Sequence, residues 1–249
     1  MFDLVLNDWV SVNENIKEFT NSLECSDHEK NVPIIMFDQV FALYSSIKAH
    51  YKYGINKTSL NVVFRSFFES CLNNAYLFLD DGIVYSKKLE SYVYWTYTVQ
   101  KKILESNRKN TEAESPERHE LNEQITILKT LIISDKYKEI KAKEGSNYWY
   151  GFDSGISSIY QLSKYVKWDF LYDHAYSYLS TSAHGTKIFG DLSNDFFRKD
   201  LDFIIYYADA CLVALVEIMN EFCLRNKLKT TSLVNLKEKM KDLECLLYH

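Results

Sequence analysis

The sequence is poor in the residues that form turns. It contains seven Gly and two Pro in 249 residues. Folds rich in β-structure need both residues repeatedly, because tight turns require positive φ angles or a fixed φ. The one Asp-Gly pair, Asp81-Gly82, lies between helical patterns instead of between alternating strands. The sequence therefore predicts an all-α fold of long helices joined by a few connections.

Paired cysteines and long apolar runs are also missing. The five Cys residues form no C-x-x-C motif, which is typical of proteins in a reducing compartment. The most apolar segment, 203–216, is interrupted by Asp209 and is shorter than the roughly 20 residues of a membrane span. The N-terminal residues include acids where a signal peptide carries positive charge. These features predict a cytoplasmic protein that does not enter a membrane.

The chain lacks an overall basic charge and the familiar catalytic motifs. Its formal net charge is −5, so any nucleic-acid contact requires a local patch. It has no P-loop, G-x-G-x-x-G, H-E-x-x-H, E-x-x-H or G-x-S-x-G motif. Six scattered His residues and no paired Cys argue against structural zinc. We therefore expect neither a cofactor nor a metal.

Apolar periodicity and helix breakers predict a bundle of about eight helices in a single domain, 1–249. Its core is expected at about 34–226, with a charged loop at 105–120 and a short C-terminal tail helix at 234–246. Pro33 is expected to open the second helix. The predicted main helices cover residues 4–23, 34–51, 58–79, 84–104, 117–143, 157–165, 170–184 and 195–226.

The third predicted helix has an unusual polar face. Arg65, Glu69 and Asn73 recur every four residues, so they form one stripe along the helix. Arg65 and Glu69 are also the only charged residues between Thr58 and Leu79. A helix face in open solvent usually carries more Lys and Glu. This face is therefore expected to be partly buried against another element.

The helix predicted at 170–184 has a similar face. Tyr176, Ser180 and His184 recur every four residues, and no Asp, Glu, Lys or Arg occurs from 174 through 186. Two charge-poor polar faces in one bundle are expected to line a shared cleft, with His184 at a helix C-terminus. A second interpretation is a purely structural network, because buried polar side chains normally satisfy one another.

These residues resemble a known family. The segment Arg65-Ser66-Phe67-Phe68-Glu69, with Trp149 and the motif Tyr176-x-x-x-Ser180-x-x-x-His184-Gly185, is similar to an uncharacterised bacterial branch of the HEPN-like superfamily. The resemblance covers about 34–226. It implies a helical bundle, usually a homodimer, and often a metal-independent ribonuclease of toxin–antitoxin, abortive-infection or CRISPR-linked anti-phage defence.

The sequence departs from the usual signature of that superfamily, in which His follows Arg by four to six residues. No Arg here has a His at that spacing. Family chemistry would therefore require Arg65 and His184 to meet from different helices. Relatives of this type that lack the signature often bind nucleotides or partners instead.

The first functional hypothesis is thus a metal-independent RNA endonuclease. His184 would be the general acid or base and Arg65 would stabilise charge on the phosphate. Glu69 is expected to be the third catalytic residue, beside His184 and Arg65. Substrate-positioning roles are expected for Ser180, Tyr176 and Asn73.

Two alternatives remain open. The same residues would serve a non-catalytic module that binds a nucleotide, a partner protein or an antitoxin. A metal-dependent hydrolase built on Glu69, Asp80 or Asp81 and His184 ranks last, because the paired acids lie about three turns beyond Glu69. His174 is expected at the surface. The aromatic loop 148–150 is expected to pack over the core of the protein and not to stack on nucleic-acid bases.

Overall fold

The computed structural model describes residues 2–23, 25–53, 57–142, 148–151, 156–176, 194–228 and 234–235. Regular structure in these ranges is entirely helical, which confirms the all-α prediction. A 3-10 turn (Asp135–Tyr137) and a π turn (Tyr172–Tyr176) accompany the α-helices. The α-helices are α1 (Phe2–Asn21), α2 (Asp27–Tyr53), α3 (Lys57–Phe78), α4 (Gly82–Lys109), α5 (Pro116–Ile132), α6 (Lys138–Ala142), α7 (Ile159–Tyr165), α8 (Asp169–Leu171) and α9 (Asn194–Arg225).

The chain divides into two compact units. The first is formed by residues 1–82 and 159–249 and holds α1 to α3 and α7 to α9, and the second is formed by residues 83–158 and holds α4 to α6. This division does not test the expected single domain, which stays a prediction.

Helix α3 is central to the first unit. It packs against α2, α7 and α9, while α1 packs on α2. The α3 side chains that are fully buried recur at helical spacing and include Phe64, Phe67, Phe68, Cys71 and Leu72. Each buried Phe contributes roughly 1.5–3 kcal/mol to folding. Burial of this face fixes the orientation of α3, and with it the position of the polar stripe on its other side.

Helix α2 begins earlier than Pro33 would suggest. The backbone N–H of Ser26 donates to Glu29 Oε2 at 2.8 Å, which is one half of a capping box. The helix therefore starts at Asp27 and includes Pro33 as a buried interior residue. Pro33 gives up one amide hydrogen bond there.

The charged connection is shorter than expected. Helix α4 continues to Lys109 and α5 begins at Pro116, so 110–115 replaces 105–120 as the loop. Ser115 caps α5, since its Oγ accepts from the Arg118 N–H at 3.2 Å and Pro116 occupies the first turn. The predicted extension of this helix to 143 is wrong. Ser134 has an extended ψ of 148°, and this separates α5 from the 3-10 turn and α6.

Two helices end in a motif that usually contains glycine. Lys167 and Lys227 have φ angles of 65° and 56°. After α7, the N–H groups of Lys167 and Trp168 donate to the carbonyls of Lys164 and Ser163, at 3.1 and 2.7 Å. The end of α9 repeats this pattern around Lys227. Both are Schellman motifs with lysine in the left-handed position.

The bounds of the first and last long helices lie close to the predicted ones. Helix α1 lies two residues upstream of the predicted 4–23, and α9 lies one residue upstream of 195–226. Of the expected tail helix 234–246, only 234–235 belongs to the described part, and both residues are helical. None of the helices that the structure describes is long and apolar enough to cross a membrane.

Candidate functional site

Three of the predicted site residues meet in the first unit. Arg65 Nε donates to Glu69 Oε1 at 3.0 Å, one turn further along α3. The hydroxyl of Tyr176 donates to the same oxygen at 2.6 Å. The guanidinium carbon of Arg65 lies 5.6 Å from the centroid of the Tyr176 ring. We call Arg65, Glu69 and Tyr176 the α3 cluster.

The α3 cluster is anchored from beneath by aromatic packing. Phe68 is fully buried, and its ring lies 5.2 Å from that of Tyr176 and 6.4 Å from that of Tyr172. Tyr172 and Tyr176 stack on each other at 5.0 Å within the π turn. The side chains of Arg65 and Glu69 are 35% and 33% exposed. The cluster therefore has a rigid floor and an accessible upper side.

Hydrogen bonding and burial raise the pKa values of two members of the cluster. The bond to Glu69 raises the pKa of Arg65, so the guanidinium remains a permanent cation. Burial, and secondly the bond to Glu69, raises the pKa of Tyr176. Its hydroxyl consequently remains a neutral donor well above neutral pH. The site therefore combines one fixed cation, one carboxylate and one phenol.

Asn73 lies on the expected side of α3. Its side-chain amide donates to the backbone oxygen of Glu69 at 2.8 Å. This bond is within one helix, one turn from its acceptor, and it holds Asn73 beside the α3 cluster. Asn73 is half-buried there.

The structure describes four of the six predicted residues. Ser180 and His184 lie outside the described residues, and the meeting of His184 with Arg65 stays a prediction. His174 belongs to the described part and is exposed, as expected. Its ring stacks on Phe170 at 4.1 Å, and its Nδ1 lies 2.9 Å from the Phe170 carbonyl oxygen.

The paired acids that the metal alternative requires lie beyond the end of α3. Asp81 Oδ2 accepts from Arg225 Nε at 3.1 Å, and the Arg225 guanidinium also donates to the carbonyls of Phe78 and Leu79. Within the described ranges, no three His, Cys, Asp or Glu residues gather as metal ligands would.

The aromatic loop packs within the second unit. Trp149 and Tyr150 are buried, and Ser91 Oγ donates to the carbonyl of Trp149 at 2.5 Å. The Trp149 ring meets Tyr92 edge to face at 5.3 Å. Packing, and not base stacking, accounts for these two side chains.

Sequence reasoning missed a second polar cluster. The Asp209 carboxylate, 4% exposed, accepts from Tyr44 at 2.6 Å and from Lys48 at 2.9 Å. Burial raises the pKa of Tyr44, and the nearby Asp209 adds to the effect. The signal in the sequence is an acid inside the apolar segment 203–216, which argues against a membrane span but does not indicate a partner for Asp209. The cluster ties α2 to α9 and leaves neither Asp209 oxygen without a donor.

A known protein family includes the part of the chain that contains the α3 cluster. A family model described as the family of unknown function DUF5677 matches residues 30–203. The chain belongs to this family. The match includes all six predicted site residues as well as Tyr44 and Lys48, whereas Asp209 lies beyond it. No curated protein and no solved structure matches the chain.

Proposed function

We propose that the chain is a metal-independent RNA endonuclease of HEPN-like type. The observation that carries the proposal is the α3 cluster: a guanidinium held between a carboxylate and an aromatic ring, with about a third of its side chain exposed. An oriented cation of this kind is suited to a phosphodiester group.

Arg65 would stabilise the transition state. Charge grows on the non-bridging oxygens of the phosphate as the attacking oxygen approaches, and a cation that is already oriented stabilises that charge without reorganising. Glu69 would hold the guanidinium in place through the 3.0 Å bond. Tyr176 would fix Glu69 in turn, which supports a positioning role for Tyr176 and, from the neighbouring turn, for Asn73.

His184 would move the proton. The RNA 2′-hydroxyl loses its proton as its oxygen attacks the adjacent phosphorus, and the 5′ leaving oxygen gains a proton as its bond breaks. A neutral imidazole would serve as the base in the first event, and an imidazolium would serve as the acid in the second. Ser180, four residues before His184 in the sequence, would position the substrate. No metal enters this scheme.

The biological role rests on the HEPN-like resemblance alone. It suggests a toxin or an abortive-infection effector of anti-phage defence, active as a homodimer and restrained by an antitoxin or another partner protein. A dimer would bring two α3 clusters near one RNA.

The test is RNA cleavage in EDTA. Purified chain is incubated with total RNA, alone and with the products of neighbouring genes. We expect cleavage to be lost in Arg65→Ala and in His184→Ala, and to persist in the control His174→Ala, whose imidazole is exposed on the same segment. RNA with 2′-O-methyl groups should resist cleavage, because it lacks the attacking hydroxyl. Absence of cleavage by the wild-type chain under all conditions would refute the proposal.

A non-catalytic nucleotide-binding or partner-binding module is the second candidate. One oxygen of Glu69 accepts from both Arg65 and Tyr176, and mutual satisfaction of this kind is also what a structural network displays. A chain that cleaves no RNA but binds a nucleoside triphosphate or a partner protein, with an affinity that depends on Arg65, would establish this candidate.

A further inference from the structure

The aromatic floor of the α3 cluster continues outward as a row of tyrosines. The ring of Tyr172 stacks on that of Tyr176 at 5.0 Å and lies 5.1 Å from the ring of Tyr160 on α7. The inner end of the row is closed by the fully buried Phe68. The outer end is open, because Tyr160 is 39% exposed. We call Tyr160, Tyr172 and Tyr176 the tyrosine row.

A cation lies at each end of this row. Arg65 covers Tyr176 at 5.6 Å, and the ammonium of Lys164 lies 4.3 Å from the centroid of Tyr160. Lys164 is exposed. The row therefore consists of three aromatic rings with a cation at each end, even though the chain as a whole is acidic.

We propose that the tyrosine row binds single-stranded RNA, leading it from Lys164 at the outer end to Arg65 at the cleavage site. This inference rests on the proposed function and names the form of its substrate. A base would stack on the ring of Tyr160, and the backbone would pass Tyr172 toward Arg65. The ring centroids of Tyr160 and Tyr176 lie at most about 10 Å apart, so the row would contact only a few nucleotides of a strand.

In this arrangement Lys164 occupies the face of the Tyr160 ring on which a base stacks when RNA binds. In the free chain its ammonium occupies a face of the Tyr160 ring, where the π electrons attract a cation. An arriving base replaces the ammonium on that face, and the flexible side chain turns to the neighbouring phosphate. A duplex does not fit this scheme, since its bases are already stacked on one another and their faces are not accessible.

Two acids oppose binding at the outer end. The hydrogen bond to Tyr160, and in smaller part the negative charges of Asp169 and Asp173, raise the pKa of Lys164, and both acids are exposed. They reduce the attraction for a phosphate. Removing one of these charges should therefore tighten binding, which gives the test a variant with an effect of opposite sign.

Binding is measured by fluorescence anisotropy in EDTA. The probe is a fluorescein-labelled single-stranded octaribonucleotide with 2′-O-methyl groups, which lacks the attacking 2′-hydroxyl and so is not cleaved, and a duplex of the same sequence is measured beside it. We expect Tyr160→Ala to raise the Kd about tenfold, while Tyr160→Phe, which keeps the ring, stays within about twofold of wild type. Asp173→Asn should lower the Kd.

Lys164→Ala is followed as a function of salt. Loss of one phosphate contact should reduce the slope of log K against log salt by about 0.7. The matched controls are Tyr53→Ala and Lys52→Ala, because Lys52 likewise lies over an exposed tyrosine ring, that of Tyr53, at 5.4 Å. Neither control should change the Kd or the slope.

The results separate this inference from the proposed nuclease. Binding that depends on Tyr160 in a chain that cleaves no RNA would support the row and refute the nuclease. Cleavage that depends on Arg65, together with equal affinities for wild type and Tyr160→Ala, would refute the row alone. Duplex binding as tight as single-strand binding would also overturn it. If Tyr160→Ala does not fold, an unchanged salt slope in Lys164→Ala overturns it.

Discussion

The Tyr176 hydroxyl and the Glu69 carboxylate meet at 2.6 Å although they are 107 positions apart in the chain. This bond ties the π turn to the polar stripe of α3. It joins the carboxylate to the π turn, beside the bond between Glu69 and Arg65 on the same helix and the contact of Arg65 with the Tyr176 ring.

Tyr176→Phe removes the hydroxyl and keeps the ring. A hydrogen bond to a charged group contributes roughly 1.5–3 kcal/mol, and the partial exposure of Glu69 lowers this figure. We expect the free energy of unfolding to fall by about 1 kcal/mol in urea denaturation, with slower RNA cleavage. The control is Tyr172→Phe in the same π turn. Equal stability and cleavage in Tyr176→Phe and wild type would contradict this role for the bond.

Lys48→Met tests the buried ion pair. The variant leaves the 4%-exposed carboxylate of Asp209 without its cation, so we expect a loss of roughly 3 kcal/mol in the free energy of unfolding. Lys52→Met, on the exposed side of α2, should cost less than about 0.5 kcal/mol. Similar losses in the two variants would show that the pair does not hold α2 to α9.

Lys167→Gly and Lys227→Gly test the two Schellman motifs. Both lysines adopt positive φ angles, which cost non-glycine residues roughly 1 kcal/mol. We expect each substitution to raise the thermal unfolding midpoint, despite the added flexibility of glycine. Lys102→Gly, inside α4, should lower it by the usual helix penalty. A lower midpoint in both motif variants would contradict the assignment.

Alkaline pH tests the buried thiol of Cys223. Burial raises its pKa from 9.0 to about 11, so the unfolded chain releases this proton at lower pH than the folded chain. The contribution of Cys223 to stability is complete below pH 9 and is lost as the pH rises toward about 11. Cys223→Ala should show a shallower decline of the unfolding free energy in that window. The control is Cys25→Ala, since Cys25 is not buried; identical slopes in wild type and Cys223→Ala would refute the prediction.

The sequence predicted most helices because apolar spacing reports which face is buried. It predicted the start of α2 incorrectly because the proline was weighed above the Ser26–Glu29 cap. The predicted helix of α5 also continues past Ser134, because apolar residues recur at helical spacing on both sides of the break that Ser134 makes in the structure. A side-chain cap sets the first of these boundaries and an extended backbone angle sets the second. Apolar periodicity predicts neither.

The candidate site was predicted in part for a different reason. A scarcity of charge on two faces indicated that Glu69 and Tyr176 would lie together, and they do. The pairing of Asp209 with Lys48, 161 positions away, left no comparable pattern, because one buried acid can pair with any of many cations. The π turn at 172–176 was likewise not foreseen, since it differs from an α-helix only in hydrogen-bond register. The place of His184 stays a prediction.

The most direct measurement is a double-mutant cycle on RNA cleavage in EDTA. Rates are measured for wild type, Arg65→Ala, His184→Ala and the double variant, with folding confirmed by thermal unfolding. If both residues act on one phosphodiester, each single substitution removes most of the rate and the double variant is no slower than the slower single variant. Effects that multiply independently, or a rate that neither substitution changes, would contradict a shared site for Arg65 and His184.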